Sequence, residues 1–396
     1  MSLGVLSLVV LAVGHFCLVA TAISVVHGLG VNWKRMDRAV VVGLGALAAA
    51  TLALAAVVAR GDWASWPWPI RAYASICVAV GAVVLPAVTV ARLLRKTPPG
   101  ISGRASEIDL TRTLAPEERI GHGRHAWCLR VPGNESFRLR VESWSVEVAG
   151  LPRGLDGLSI LHLTDLHFAP CFDRRFFEAV VDEAARGEVD LVVCTGDLVD
   201  DDGAIAWIEP ILARLRGRLG QFAILGNHDV HHRPDLVRRE LVRAGFDDVD
   251  GRWTSIDVGG TTLAIGGTSA PWGPRLDLGD APEADFRLVL SHTPDLFPRL
   301  AAGGIDLVLS GHNHGGQVRL PVLGPILMPS RYGRRFDLGF FRTGRSLLYV
   351  GRGVAGKHPI RYRCPPEVAR LVLRAAPAAR AGRRPAATAV GQESQI

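Results

Sequence analysis

The chain has 396 residues, enough for a membrane region and one sizeable soluble domain at roughly 150 residues per domain. Hydrophobic residues make up 48% and mean hydropathy is +0.22, high for a purely soluble protein. The formal charge of +7 is largely local, since Arg370, Arg374, Arg380, Arg383 and Arg384 stand against Glu393 alone near the end; with no recognition motif and no interleaved aromatic residues, nucleic acid is not an expected partner.

The N-terminal region, 1–96, carries three apolar runs long enough to cross a hydrocarbon core, at about 3–26, 39–59 and 72–91. The first lacks a basic leader and is followed by further apolar runs, which favours a retained helix over a cleaved signal. Lys34, Arg35 and Arg38 follow the first run and Arg92, Arg95 and Lys96 follow the third, against Arg60 and Arg71 between the second and third. Basic residues favour the inner face, so these clusters predict a multi-pass cell-membrane protein with its soluble domain cytoplasmic and Trp63, Trp66 and Trp68 in the outer aromatic belt.

Residues 97–136, charged and containing Pro and Gly, read as a linker. Alternation from Phe137 to Val148 predicts a half-buried strand pair. Short apolar runs then recur at 158–163, 191–194, 222–225, 262–265, 288–290, 307–309 and 347–350, with helical patterns at 174–186, 204–216 and 235–244 between them. This alternation predicts an α/β domain over 137–375. The Ala-, Arg- and Pro-rich segment 376–396 reads as a disordered basic tail. The six cysteines are scattered without a CxxC, so neither a zinc ribbon nor a disulfide framework is expected, and Cys194 reads as a small core residue.

Five of the strand candidates end in metal-ligand residue types: Asp165 and His167, Asp197, Asn227 followed by His228, His292, and His312 with His314. Strand ends deliver side chains to one crevice in α/β proteins, so residues far apart in sequence are expected to meet there. Any one of these residues alone would read as a cap or a surface group. Imidazole and carboxylate without thiolate suit divalent Mn, Fe, Zn or Mg. Gly226, Gly311, Gly315 and Gly316 read as turn glycines needing close approach or positive φ, and His162 as a core histidine. His231 and His232 follow the catalytic-loop candidate and fit the mouth of such a site.

In order, the motifs DxH, GDxxD, GNHD, a lone His and GHxH resemble the signature of calcineurin-like metallophosphoesterases. The run Gly311–Gln317 and the stretch from Tyr349 to Glu367 further resemble the membrane-associated YkuE/YaeI-type phosphodiesterase branch. The resemblance implies an α/β/β/α sandwich and two divalent metal ions. Asp165, His167 and His314 would hold one ion, Asn227, His292 and His312 the other, and Asp197 would bridge them. His228 would act on the leaving oxygen, with Asp200 at the position of an acid that orients this histidine in some relatives. Two cations roughly 3.5–4 Å apart neutralise phosphoryl oxygens and activate water for in-line attack. The expected activity is hydrolysis of a phosphodiester, lipid-linked in view of the bilayer anchor; a non-catalytic membrane sensor or scaffold with a structural or phosphate-binding metal site is the alternative.

Overall fold

A computed structural model describes residues 3–30, 42–43, 45, 49, 51 and 66–376. It divides into a helical unit, residues 1–96 with 318–335, and a larger unit, residues 97–317 with 336–396.

In the helical unit, α1 (Leu3–Gly28) and α2 (Trp68–Leu94) are apolar along stretches of 20 and 27 residues, long enough to cross a membrane. Most of the expected middle span, 39–59, lies outside the described residues, as does the tail from 377. The helices approach where side chains are smallest: a Cβ on Gly14 would fall on the Cys77 carbonyl, and one on Gly81 on that of Val10. His15 contacts Tyr73. These contacts step in opposite senses along the two helices, so α1 and α2 run antiparallel. Residues 318–335, expected within the soluble domain, belong to the helical unit; there the Met328 N–H donates to Ser24 Oγ at 3.2 Å.

The larger unit contains β1 (Ile101–Asp109), β2 (Arg138–Val148), β3 (Ser159–Leu163), β4 (Leu191–Thr195), β5 (Gly220–Ile224), β6 (Asp247–Asp248), β7 (Trp253–Val258), β8 (Thr261–Thr268), β9 (Phe286–Ser291) and β10 (Leu307–Ser310). After the short pair β11 (Arg319–Leu320) and β12 (Gly324–Pro325) of the helical unit come β13 (Gly339–Thr343), β14 (Ser346–Val350) and β15 (Glu367–Ala375). One sheet has the order β1-β2-β15-β3-β4-β5-β6 and the second β13-β14-β10-β9-β8-β7.

Successive residues of β4 serve two cores. Leu191 and Val193 join the layer between the sheets with Phe222, Ile265, Leu288 and Leu309, while Val192 and Cys194 face Phe177, Val181, Ile208 and Leu241 of the outer helices. Burial on both faces is why these strands read as unbroken apolar runs. The second sheet is covered by the helix Phe297–Ala302 through Phe297, Leu300, Val308 and Leu348. The result is the α/β/β/α sandwich.

Two expectations are corrected. The segment 137–148 is a single strand, and its partner is β1 from the supposed linker, paired in register from Ile101 opposite Val146 to Asp109 opposite Arg138. The linker was misread because β1 is an edge strand exposed along most of its length, with no apolar alternation to betray it. Beyond it, Leu110, Ala126, Cys128 and Leu129 are buried.

Candidate metal centre

Each candidate residue leaves the carboxyl end of a strand: Asp165 and His167 follow β3, Asp197 β4, Asn227 and His228 β5, His292 β9, and His312 and His314 β10. Three of these strands belong to one sheet and two to the other, so the residues converge at one end of the sandwich. The backbone makes the turn sharply. Asp165, His167, Asp197, His312 and His314 all adopt positive φ, between 46° and 65°, a region that non-glycine residues seldom enter and that clusters at functional sites. Gly315 and Gly316 share positive φ as expected, but Gly226 does not. Its hydrogen side chain matters for a different reason: a Cβ there would lie 2.0 Å from Asp197 Oδ1.

Three donor groups form: Asp165, Asp197, His167 and His314 in one, Asp197, His292 and His312 in a second that shares Asp197 with it, and His167, Asp200 and His228 in a third. The hydrogen bonds fix which atoms face inward. His314 Nδ1 lies 3.1 Å from the Ala355 carbonyl and His292 Nδ1 2.8 Å from that of Thr195; a carbonyl only accepts, so both nitrogens carry the proton. His167 Nδ1 faces Asp200 Oδ2 at 3.0 Å. Once each of these imidazoles is neutral, its inward Nε2 is left as the acceptor. His167 Nε2 and His314 Nε2 stand 3.1 Å apart, with Asp165 Oδ1 3.4 Å from the latter, and His292 Nε2 lies 2.9 Å from Asn227 Oδ1 and 3.4 Å from Asp197 Oδ2. Imidazole and carboxylate groups converging in this way are the arrangement a cation satisfies, and the carbonyl or carboxylate behind His167, His292 and His314 is the usual outer partner of a metal-bound histidine. The residues fit divalent ions.

Electrostatics follow from this crowding. Burial opposes the Asp197 charge, but His292 and then His228 outweigh it and hold the carboxyl well below its usual range. His292 is raised to about 9, burial being overcome by Asp197. Burial drives His314 well below the usual imidazole range, and neighbouring His167 pushes the same way.

His228 stands at the rim, with its side chain 26% exposed. Its backbone N–H donates to Asp197 Oδ1 at 2.8 Å and its Nδ1 donates to Asp200 Oδ1. Burial disfavours its charge, but Asp200 and then Asp197 prevail and raise it to about 10.

Asp200, which the sequence left between a surface turn and an orienting acid, has a buried carboxylate that holds His167 with one oxygen and His228 with the other. Three contributors escaped the sequence reading. Asp229 accepts from Leu198, Val199 and Gly226 N–H groups, tying the Asp197 loop to the Asn227 loop. The N–H groups of Val354 and Ala355 donate to the Asp165 carbonyl at 3.1 and 2.9 Å. Arg361, fully buried, donates to the carbonyls of Arg352, Ala355 and Cys364, the second of which also holds His314. The GNHD motif named Asp229, but nothing in the spacing signalled the role of Arg361.

His162 is a core residue, 2.9 Å from Thr195 Oγ1 and lowered to about 3 by burial. His231 is half-buried, lowered by burial and then by His228; His232 pairs with Asp202 at 2.9 Å. Cys194 is buried in the core and pushed up to about 12.

A family profile for calcineurin-like phosphoesterases matches residues 158–316. An uncharacterised metallophosphoesterase of Aquifex aeolicus is 30% identical over 252 residues, covering 61% of this chain and 94% of the relative. The chain belongs to the calcineurin-like phosphoesterase family. Metallophosphoesterase YkuE of Bacillus subtilis is 28% identical over 259 residues, covering 61% of this chain and 87% of the relative, and phosphodiesterase YaeI of Escherichia coli is 30% identical over 223 residues, covering 54% and 81%. With these relatives the chain falls in the YkuE/YaeI-type branch and is a metal-dependent hydrolase.

Proposed function

We propose that this calcineurin-like phosphoesterase is a membrane-anchored phosphodiesterase using two divalent ions, one held by Asp165, His167 and His314, the other by Asn227, His292 and His312, with Asp197 between them. The observation that carries the reading is the pair of donor groups meeting at Asp197 beside His228, which reaches solvent and whose charge Asp200 favours. Bound cations supply positive charge to the phosphoryl oxygens and to the attacking water. The chain's own part is to hold the substrate against this centre and deliver a proton.

With Nδ1–H fixed on Asp200, His228 presents Nε2–H toward the crevice, where it can pass a proton to the departing alkoxide. His167 stands edge-to-face to His228 at 4.7 Å and shares Asp200, so the proton donor and the first donor group are oriented by one carboxylate. A free acid at an open rim supports turnover over a purely structural site.

A diester is favoured over a monoester by the relative named as a phosphodiesterase. A lipid-linked headgroup is favoured by the two apolar helices and by a transmembrane protein with a metallophosphoesterase domain from Danio rerio, 28% identical over 271 residues, of which the chain covers 58%. Arg92 in the last turn of α2, with Arg95 and Lys96 after it, supports a cytoplasmic catalytic unit.

The test is hydrolysis of bis(p-nitrophenyl) phosphate and of p-nitrophenyl phosphate by detergent-purified full chain with Mn²⁺ or a chelator. Metal-dependent diester turnover that falls about 10²–10⁴-fold in His228→Ala, at unchanged metal content, is expected. Loss of metal from that variant would instead make His228 a ligand, and activity insensitive to chelation would sink the proposal.

A further inference from the structure

Two segments of the larger unit build one surface beside the metal centre. Residues 121–134 come from the supposed linker and residues 356–363 from the loop before β15. Asn134 clamps them together, its Nδ2 donating to the carbonyls of both Cys128 and Pro359 at 2.8 Å, while its Oδ1 accepts from the Arg361 N–H at 3.0 Å. The rings of His125 and His358 meet edge-to-face at 4.7 Å.

The surface starts at the site itself. Ala355, whose carbonyl holds His314, is followed by Gly356, where a Cβ would lie 3.6 Å from His314 Cε1, and then by Lys357 and His358. Gln317 Nε2 donates to the His358 carbonyl at 3.2 Å, tying the segment to the end of the GHNHGGQ loop.

Its composition is one-sided. Arg124, Arg130, Lys357 and Arg363 are exposed, His122 and His358 stand with them, and neither segment contains an Asp or a Glu. Two aromatic side chains are also left outside, Trp127 at 63% and Tyr362 at 44% exposure. Both lie next to residues that are firmly buried, Ala126 and Cys128 on one side and Arg361 on the other, so their exposure is imposed by a fixed backbone.

Exposed cations attract an anionic surface, and Trp and Tyr beside them are the residues that settle at the headgroup level of a bilayer. Exposed aromatic residues among Arg and Lys also suit single-stranded nucleic acid, but two apolar helices on the same chain put lipid within reach.

We propose that this face, centred on Trp127, Arg124, Arg130, Lys357, Tyr362 and Arg363, binds the anionic lipid headgroup layer and so brings the mouth of the metal centre to phosphodiesters in the membrane. The proposal rests on the membrane-anchored reading above and extends it from where the chain is held to which surface meets the lipid.

The test uses the full chain in nanodiscs, with Cys17→Ser to remove the one cysteine that is not buried and Trp127→Cys carrying an environment-sensitive fluorophore. In phosphatidylcholine with phosphatidylglycerol, a blue-shifted emission quenched by acyl-brominated lipid is expected; in phosphatidylcholine alone the effect weakens. Removing cations by Arg124→Glu, Arg130→Glu and Arg363→Glu should weaken the contact about fivefold per site. Aqueous emission in both bilayers, or a shift indifferent to phosphatidylglycerol and to charge reversal, overturns the proposal. So does tight, salt-sensitive binding of a labelled single-stranded oligonucleotide through the same arginines without any lipid-induced shift. Turnover of soluble bis(p-nitrophenyl) phosphate, expected unchanged in the charge-reversal variant, separates the two readings. Its absence from the parent protein would count against the phosphodiesterase, whereas its presence without lipid contact would count against this surface alone.

Discussion

The two halves of the proposed two-ion centre are supported differently. On the side of Asn227, His292 and His312, support comes from strand ends and the turns beside them: Thr195 at the end of β4 accepts from His292, and Asp229 ties the loops after β4 and β5. On the side of Asp165, His167 and His314, it comes from a long excursion between β14 and β15. Val354 and Ala355 grip Asp165, Ala355 grips His314, and Arg361 holds that excursion in shape. A site built on rigid elements resists perturbation, while one leaning on a loop inherits the loop's stability. The half of Asp165, His167 and His314 should therefore be the one that substitutions far from the ligands can reach.

Asp197 belongs to both halves, so it sets the upper limit. Asp197→Asn should remove both ions and abolish turnover, a loss beyond the roughly 10–100-fold that outer partners cause. Metal analysis retaining either ion at parental affinity would break the assignment of a shared ligand.

Arg361→Met is the sharpest probe of asymmetry. Its expected effect is about a 10–100-fold weaker affinity for one ion, with the second titrating as in the parent and Arg361→Lys partly restoring the first. Equal weakening of both ions in Mn²⁺ titrations would show that the halves are not independently supported.

Asp200→Asn should act on protonation more than on occupancy. Asp200 is what chiefly raises His228 against burial, and a proton donor is lost as pH rises through its pKa. Removing the carboxylate lowers that pKa, so the alkaline limb of kcat/KM should move to lower pH; an unmoved or upward-moved limb would show that His228 is not the acid.

The smallest effect belongs outside the centre. Burial opposes the Asp190 charge, but bonds from Ser159 and Arg218 outweigh it and hold the carboxyl below its usual range. A depressed pKa adds stability above the ordinary carboxylate range that is lost as pH falls through the folded value. Asp190→Asn should lower Tm by no more than about 2–4 °C near neutral pH, converge with the parent in acid, and leave both metal affinities alone.

The contrast between the halves also explains what could be read from the sequence. The ligand-type residues stand at the ends of apolar runs such as 191–194 and 307–309, where a short run with a polar terminus announces both the strand and the crevice. The outer support does not announce itself. Arg361 sits in an irregular stretch among Pro359, Tyr362 and Arg363, and its partners are backbone carbonyls that leave no trace in composition. The same holds for β1 and for Trp127: an exposed edge strand and a fixed but irregular segment carry no periodicity, so residues 97–136 looked like a tether.

The last strand among the described residues lies well inside its sheet. β15 fits between β2 and β3, parallel to one and antiparallel to the other, and the excursion that grips Asp165 and His314 leads into it. Until Glu367–Ala375 has emerged from the ribosome, β2 and β3 lack the strand between them and Asp165 lacks its clamp. The apolar helices are made before it, but hydrolytic competence has to wait for β15. On the proposed membrane-anchored reading, premature termination shortly before Glu367 should yield an anchored but dead product rather than a weakened enzyme.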